Sequence, residues 1–266
     1  MAHGDGTARP GPATAGIALA VLSAGTFGTS GIFASALIST GWSPAAAAIT
    51  RLGGSAFLLA VPAVLQLRGR WTLLRQQAGT VVIYGLVAIA GVVTAIAGLA
   101  LLAGLAGSAQ VSPAGIMWGL GQAVSLAAYF LISAAAGEQA LPPLVMAWGG
   151  LGTGAAFLAV AGWTGVLHVT ASAGDVELLH RHLSWIVPAL GLALLSAVIA
   201  YVAGIAAARR LGARLASFTG MTEALFAVLY AWLLLGQTPT AAEFAGGAFM
   251  LAGVILVRLD ETRQRS

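Results

Sequence analysis

Apolar positions in this chain neither alternate nor trace a single helical face. They run on in long blocks, broken by short segments that hold Arg, Pro, Ser and Thr. A hydrocarbon core of ~30 Å is crossed by about 20 apolar helical residues. Blocks at roughly 15–38, 44–66, 79–105, 113–136, 141–165, 183–208, 213–236 and 239–258 reach that length. The pattern predicts an all-α polytopic membrane protein with about eight transmembrane helices. Residues 1–14 are polar and rich in Gly and Pro and read as a disordered tail. The first apolar block is too long for a signal-peptide core and others follow it, so it reads as a retained span.

Composition sharpens this picture. Of 266 residues, 59% are hydrophobic and 8% charged, against roughly 25% charged in soluble domains. Too few charges remain to cover a water-facing globule, so lipid is the expected solvent. The net charge of +4 does not point to nucleic acid. Every basic residue is an Arg, and they gather at the ends of apolar blocks. Arg9, Arg68, Arg70, Arg75, Arg209, Arg210, Arg214, Arg258, Arg263 and Arg265 all fall on one side of an eight-span arrangement. That side is cytoplasmic by the positive-inside rule, which puts both termini inside. Cysteine is absent, which excludes disulfides, thiolate metal sites and Cys nucleophiles.

The blocks also repeat. "SPAAAAITRLGGSAFLLAV" (43–61) lies over "PPLVMAWGGLGTGAAFLAV" (142–160), and "GI" recurs at 16–17 and 115–116 with the same offset of 99. "AGVVTAIAGLALL" (90–102) lies over "AGGAFMLAGVILV" (245–257) at an offset of 155. The difference, 155 − 99 = 56, is the length of about two spans with their loops. A shortened first repeat at 15–105, with about three helices, would then precede a full five-helix repeat at 113–258, with a cytoplasmic tail at 259–266. Repeats of this kind are common in secondary transporters, whose sites lie at the repeat interface.

Two charges lie inside the blocks. Glu223 falls near mid-membrane, where a charge costs at least ~2.5 kcal/mol. It reads as a contact for a substrate ammonium or a coupled proton, or else as a polar contact between helices. Arg51 lies within the second block, close enough in depth to meet Glu223 directly, through water or across a zwitterion. The plainer reading of Arg51 is snorkelling or pairing with backbone carbonyls. Trp118, Tyr129, Trp148, Tyr201, Tyr230 and Trp232 are aromatics that a cavity can use; Trp118, Tyr129 and Trp148, in the fourth and fifth spans, are the candidates taken. Trp71, Trp163 and Trp185 read as interface anchors. Glu243 suits the first turn of the last helix. "HRH" at 180–182 reads as part of a solvated outer loop and matches no dedicated metal site. No phosphate loop is present, and the spans lack the His and Asp of a catalytic set, so neither an enzyme nor a metal or cofactor is expected.

Residues 210–257, "RLGARLASFTGMTEALFAVLYAWLLLGQTPTAAEFAGGAFMLAGVILV", resemble the last two helices of the EamA family of the drug/metabolite transporter superfamily. "GIALAVLSAGTFGTSGIFASALISTGWSPAAAAITRLGGSAFLLA" (16–60) resembles its first two, including an Arg midway along the second, here Arg51. The family's Glu, aliphatic run with Trp and Leu-Leu-Leu-Gly with Gln is carried by Glu223, Trp232 and 233–237. The resemblance implies a ten-helix fold of two inverted five-helix repeats, here an incomplete version that lacks about two helices of the first repeat. It implies a secondary transporter, an exporter of small organic metabolites such as amino acids, multi-pass in a bacterial plasma (inner) membrane. Its partners would be the lipid bilayer and a small-molecule substrate; a homodimer is compatible with this, nucleic acid is not. The alternative is an incomplete carrier that folds but transports nothing.

Overall fold

A computed structural model describes residues 12–87, 89–90, 113–134, 140–236, 238–239, 244–249, 251–253 and 255–256. The 1–11 segment, the end of the third predicted span, Glu243 and residues 257–266 lie outside the described residues. Among the described residues, four helical stretches are long and apolar enough to cross a membrane: Thr14–Ile38, Pro44–Leu67, Pro143–Trp163 and Ile186–Ser217. Shorter apolar helices occupy Ala78–Val87, Val124–Ala134, Thr222–Leu235 and Phe244–Gly253.

The first stretch is two helices, α1 (Pro12–Gly28) and α2 (Ser30–Ile38), which meet at Thr29. The reason is local. Thr26 and Thr29 turn their hydroxyls back onto the carbonyls of Leu22 and Thr26, at 2.8 and 2.6 Å, and such bonds bend helices. Helix α3 (Pro44–Leu67) starts at a Ser-Pro pair. Extended Ser43 accepts from the amide of Ala46, and Pro44 needs no partner for its missing N–H. A short α4 (Trp71–Gln76) and α5 (Ala78–Val87) follow, then α6 (Pro113–Ala134) and α7 (Pro143–Trp163).

Helix α3 packs antiparallel on α7, with Gly53 against Ala155 and Gly152 against Ala56. Small residues at the contact let the backbones close up, the usual source of association when lipid already solvates apolar side chains. The seam continues into the main core, where Leu52, Leu59, Ala147, Leu151 and Leu158 are buried together.

The chain after α7 departs from the all-helical expectation. The segment 166–182, expected as a solvated outer loop, holds most of an antiparallel hairpin of β1 (Asp175–Leu178) and β2 (Arg181–Ser184). Its turn residues, Leu179 and His180, both have positive φ, at 52° and 62°. Histidine enters that region more readily than most residues but leucine does not, so tertiary contacts help to hold the turn. Val176 is fully buried against Leu37, Trp42 and Leu192, and Leu178 against Ile32 and Ala36. Trp42 donates from Nε1 to the carbonyl of Ser172 at 2.7 Å and its ring lies 5.6 Å from Trp185. Trp185, expected as a membrane anchor, is thus part of this cap. Trp71 and Trp163 do stand exposed at helix ends. Replacing Trp42 by Phe keeps most of the ring contact and removes the hydrogen bond, worth ~1 kcal/mol. Limited proteolysis should then cut 164–174 several times faster; an unchanged rate would mean that the bond does not hold the loop down.

Beyond the hairpin, α8 (Ile186–Leu190) runs into a π-helix (Gly191–Ile199) and then α9 (Ala200–Gly220). Within α9, Gly212 takes φ 80°, ψ 162°, and the helix breaks there. Only glycine adopts such a backbone at little strain. The part before the break runs antiparallel to α1: Gly16 abuts Leu211, and Gly204 abuts Ser23. After the break the chain proceeds through Met221 into α10 (Thr222–Leu235). Helix α10 runs parallel to α1 and α2, with Gly28 against Phe226 and Ile32 in one cluster with Tyr230 and Leu235. The chain therefore reverses at Gly212, inside "RRLGAR", where the spacing of Arg209, Arg210 and Arg214 predicts a turn. We call this the arginine end and the opposite one the hairpin end.

Candidate functional site

A cavity of about 250 Å³ opens between α2, α3 and the π-helix, towards the hairpin end. Small and aliphatic residues, among them Gly31, Ala34, Ala47, Leu52 and Leu192, form most of its wall. Ser30, Arg51 and Tyr201 add the polar groups. At ~30 Å³ per water, the space suits a solute of metabolite size and is too small for a bulky drug.

Arg51 is held from two sides. Its Nη2 donates to the carbonyl of Ser196 at 2.9 Å, and its guanidinium lies 5.1 Å from the centroid of Phe27. Both contacts offset the burial of a cation. One turn on, Ser55 donates to the carbonyl of Ala193 at 2.9 Å and also contacts the carbonyl of Arg51. Ala193 and Ser196 both belong to the π-helix. In lipid a backbone acceptor needs an internal partner; here side chains of α3 supply two of them. The Nε of Arg51 is buried with no hydrogen-bond partner. The cavity wall thus carries one cation, the Arg51 guanidinium.

Glu223 sits in the first turn of α10, just after the interruption at Met221, where a carboxylate complements the helix N-terminus. It is half-buried. It lies within Coulombic reach of Arg51, Tyr201 and Tyr129, with no direct ion pair to Arg51. Glu223 is not in the cavity wall. Of the aromatic candidates, Tyr129 is buried beneath Tyr201, their rings 5.8 Å apart edge to face, and does not reach the cavity. Trp148 packs against the main core, also away from it. Trp118 lies in α6 with its side chain outside the described residues. Tyr201 and Ser30 line the cavity without having been chosen from the sequence as site residues. A tyrosine two turns before an arginine cluster was the available signal for Tyr201; Ser30 had none. Among the described residues no group of His, Asp and Glu is arranged to hold a metal, and His180 and His182 belong to the hairpin.

The profile of the EamA-like transporter family matches residues 113–259, more than half of the chain. No characterised protein and no solved structure matches it. The match includes α6, α7, the hairpin, the π-helix, Tyr201 and Glu223. A multi-pass helical protein with this profile is a membrane transporter of the drug/metabolite superfamily, and the chain belongs to the EamA-like transporter family.

Proposed function

We propose that this protein is a secondary transporter, an exporter of small organic metabolites such as amino acids, working by alternating access around the Arg51 cavity. Arg51, a cation in the wall of a small apolar chamber, is the observation that carries the reading. A substrate carboxylate would pair with that guanidinium. An ammonium on the same molecule would be drawn to the side on which Glu223 lies. The interruption at Thr29 and the π segment both adjoin this chamber, through Ser30 and Leu192, and irregular helix beside the site is a feature of other carriers. Eight passes, counted with a reversal at Gly212, put the arginine end in the cytoplasm of a bacterial inner membrane, together with both termini. Residues 15–105 and 113–258 are read as a shortened and a full repeat.

The test is flux into proteoliposomes with a panel of amino acids and other small carboxylates. Wild type should exceed empty vesicles, and Glu223→Gln should lower the flux at least about tenfold for zwitterionic substrates. Background flux from a folded wild-type protein with every solute would favour the second reading, a carrier made non-transporting by its short first repeat.

A further inference from the structure

Among the described residues, five buried side-chain polar atoms lack a hydrogen-bond partner: Arg51 Nε, Tyr129 Oη, Tyr84 Oη, Ser133 Oγ and Arg209 Nε. An orphaned buried polar group is costly, ~1–3 kcal/mol, and rare enough to need a reason. These five are not scattered. Tyr201, beside Arg51 in the cavity wall, packs on Tyr129. The Tyr129 ring lies 5.5 Å from Tyr84. The hydroxyls of Tyr129, Tyr84 and Ser133 approach one another without good hydrogen-bond geometry. Tyr84 lies in turn within Coulombic reach of Arg209. Arg209 is half-buried, and Arg210 beside it is exposed. From Tyr201 to Arg209 is eight residues of helix, ~12 Å.

We propose that the Tyr129, Tyr84 and Ser133 hydroxyls hold internal water and form a proton path between Glu223 and the arginine end. Gly204 makes room for it, since a Cβ there would stand 2.6 Å from Tyr129 Oη. Each hydroxyl accepts a hydrogen from the arginine side and passes its own onward. No oxygen is left ionised; Glu223 takes the proton, and bulk water beyond Arg209 supplies it and takes it back. The cavity that opens towards the hairpin end stops at Arg51 and Tyr201 and does not include Glu223, and Val176 and Leu178 are buried over α2. Among the described residues, the ionisable groups within electrostatic reach of Glu223 are Arg51, Tyr129 and Tyr201; α1 and α2 carry none.

The inference rests on the transporter reading only for its consequence, that flux is driven by protons. It is tested without measuring flux. Dicyclohexylcarbodiimide enters from lipid and modifies only protonated carboxyls, so its reaction with Glu223, read by peptide mass spectrometry, reports proton occupancy. The full-length protein is placed in sealed vesicles of one orientation, with pH set separately on each side. Modification should change severalfold with pH at the arginine end and little with pH at the hairpin end. After a pH jump at the arginine end, Tyr129→Phe and Ser133→Ala should each slow the response about tenfold. Tyr129→Phe keeps the ring contacts; if it fails to fold, Ser133→Ala makes the same test. Labelling that follows the hairpin side overturns the path. So does labelling absent at every pH, or folded variants that respond as fast as wild type. Flux at background with labelling as expected would overturn transport and leave the path standing.

Discussion

Arg51→Gln should reduce carboxylate flux by about ten- to a hundredfold in proteoliposomes. A hydrogen bond to a charged group is worth ~1.5–3 kcal/mol, and 1.4 kcal/mol is a factor of ten. The loss should fall on every substrate that carries a carboxylate and spare amines that lack one. Arg51→Lys should not restore it. An ammonium is a point charge without the planar fork that can hold the Ser196 carbonyl and a carboxylate together. Equal loss for carboxylates and amines would show that Arg51 holds the π-helix in place instead of binding substrate.

The second large effect is at the packing between α5 and α7. Gly150→Ala should lower the thermal unfolding temperature of the solubilised protein by several degrees, and Gly150→Leu should do so by more. A Cβ at Gly150 would stand 2.2 Å from Tyr84 Cδ1 and 2.9 Å from Cε1. Tyr84 is 1% exposed and has Tyr129 behind it, so it has nowhere to swing. Alanine gains ~1 kcal/mol in helix propensity over glycine, but overpacking costs ~1–3 kcal/mol, and here the cost wins. Gly79→Ala is the control: nothing lies within 4 Å of its Cβ position, and it should be neutral or slightly stabilising. If Gly150→Ala proved equally harmless, the contact of α5 with α7 would be looser than described.

What could be read from the sequence followed from the physics that each feature uses. Long apolar blocks and the grouping of Arg209, Arg210 and Arg214 depend on composition alone, and the reversal at Gly212 lies where they point. A charge in lipid is conspicuous at any position, so Arg51 and Glu223 stood out. Their surroundings did not. Which face of α6 carries Tyr129 inward depends on packing against Gly204, two spans away. The hairpin was hidden because Leu179 is a poor turn residue, held by burial of Val176 and Leu178 in the strand before it. The bend at Thr29 uses threonine hydroxyls that a hydropathy pattern does not register. The π-helix left no mark, since "GLALLSAVI" suits an α-helix equally well.

That π-helix has a consequence for rotational phase. Successive residues of an α-helix turn by ~100° about its axis, and a wider i→i+5 segment behaves as one residue too many for the space it spans. Everything after Ile199 is clocked by that surplus. If Gly191–Ile199 tightened to α geometry, the carbonyls of Ala193 and Ser196 would return to the helix and release Ser55 and Arg51. Tyr201 would then rotate off the cavity, and Arg209 with it. The phase at which Tyr201 meets the chamber is thus set by the π segment that precedes it.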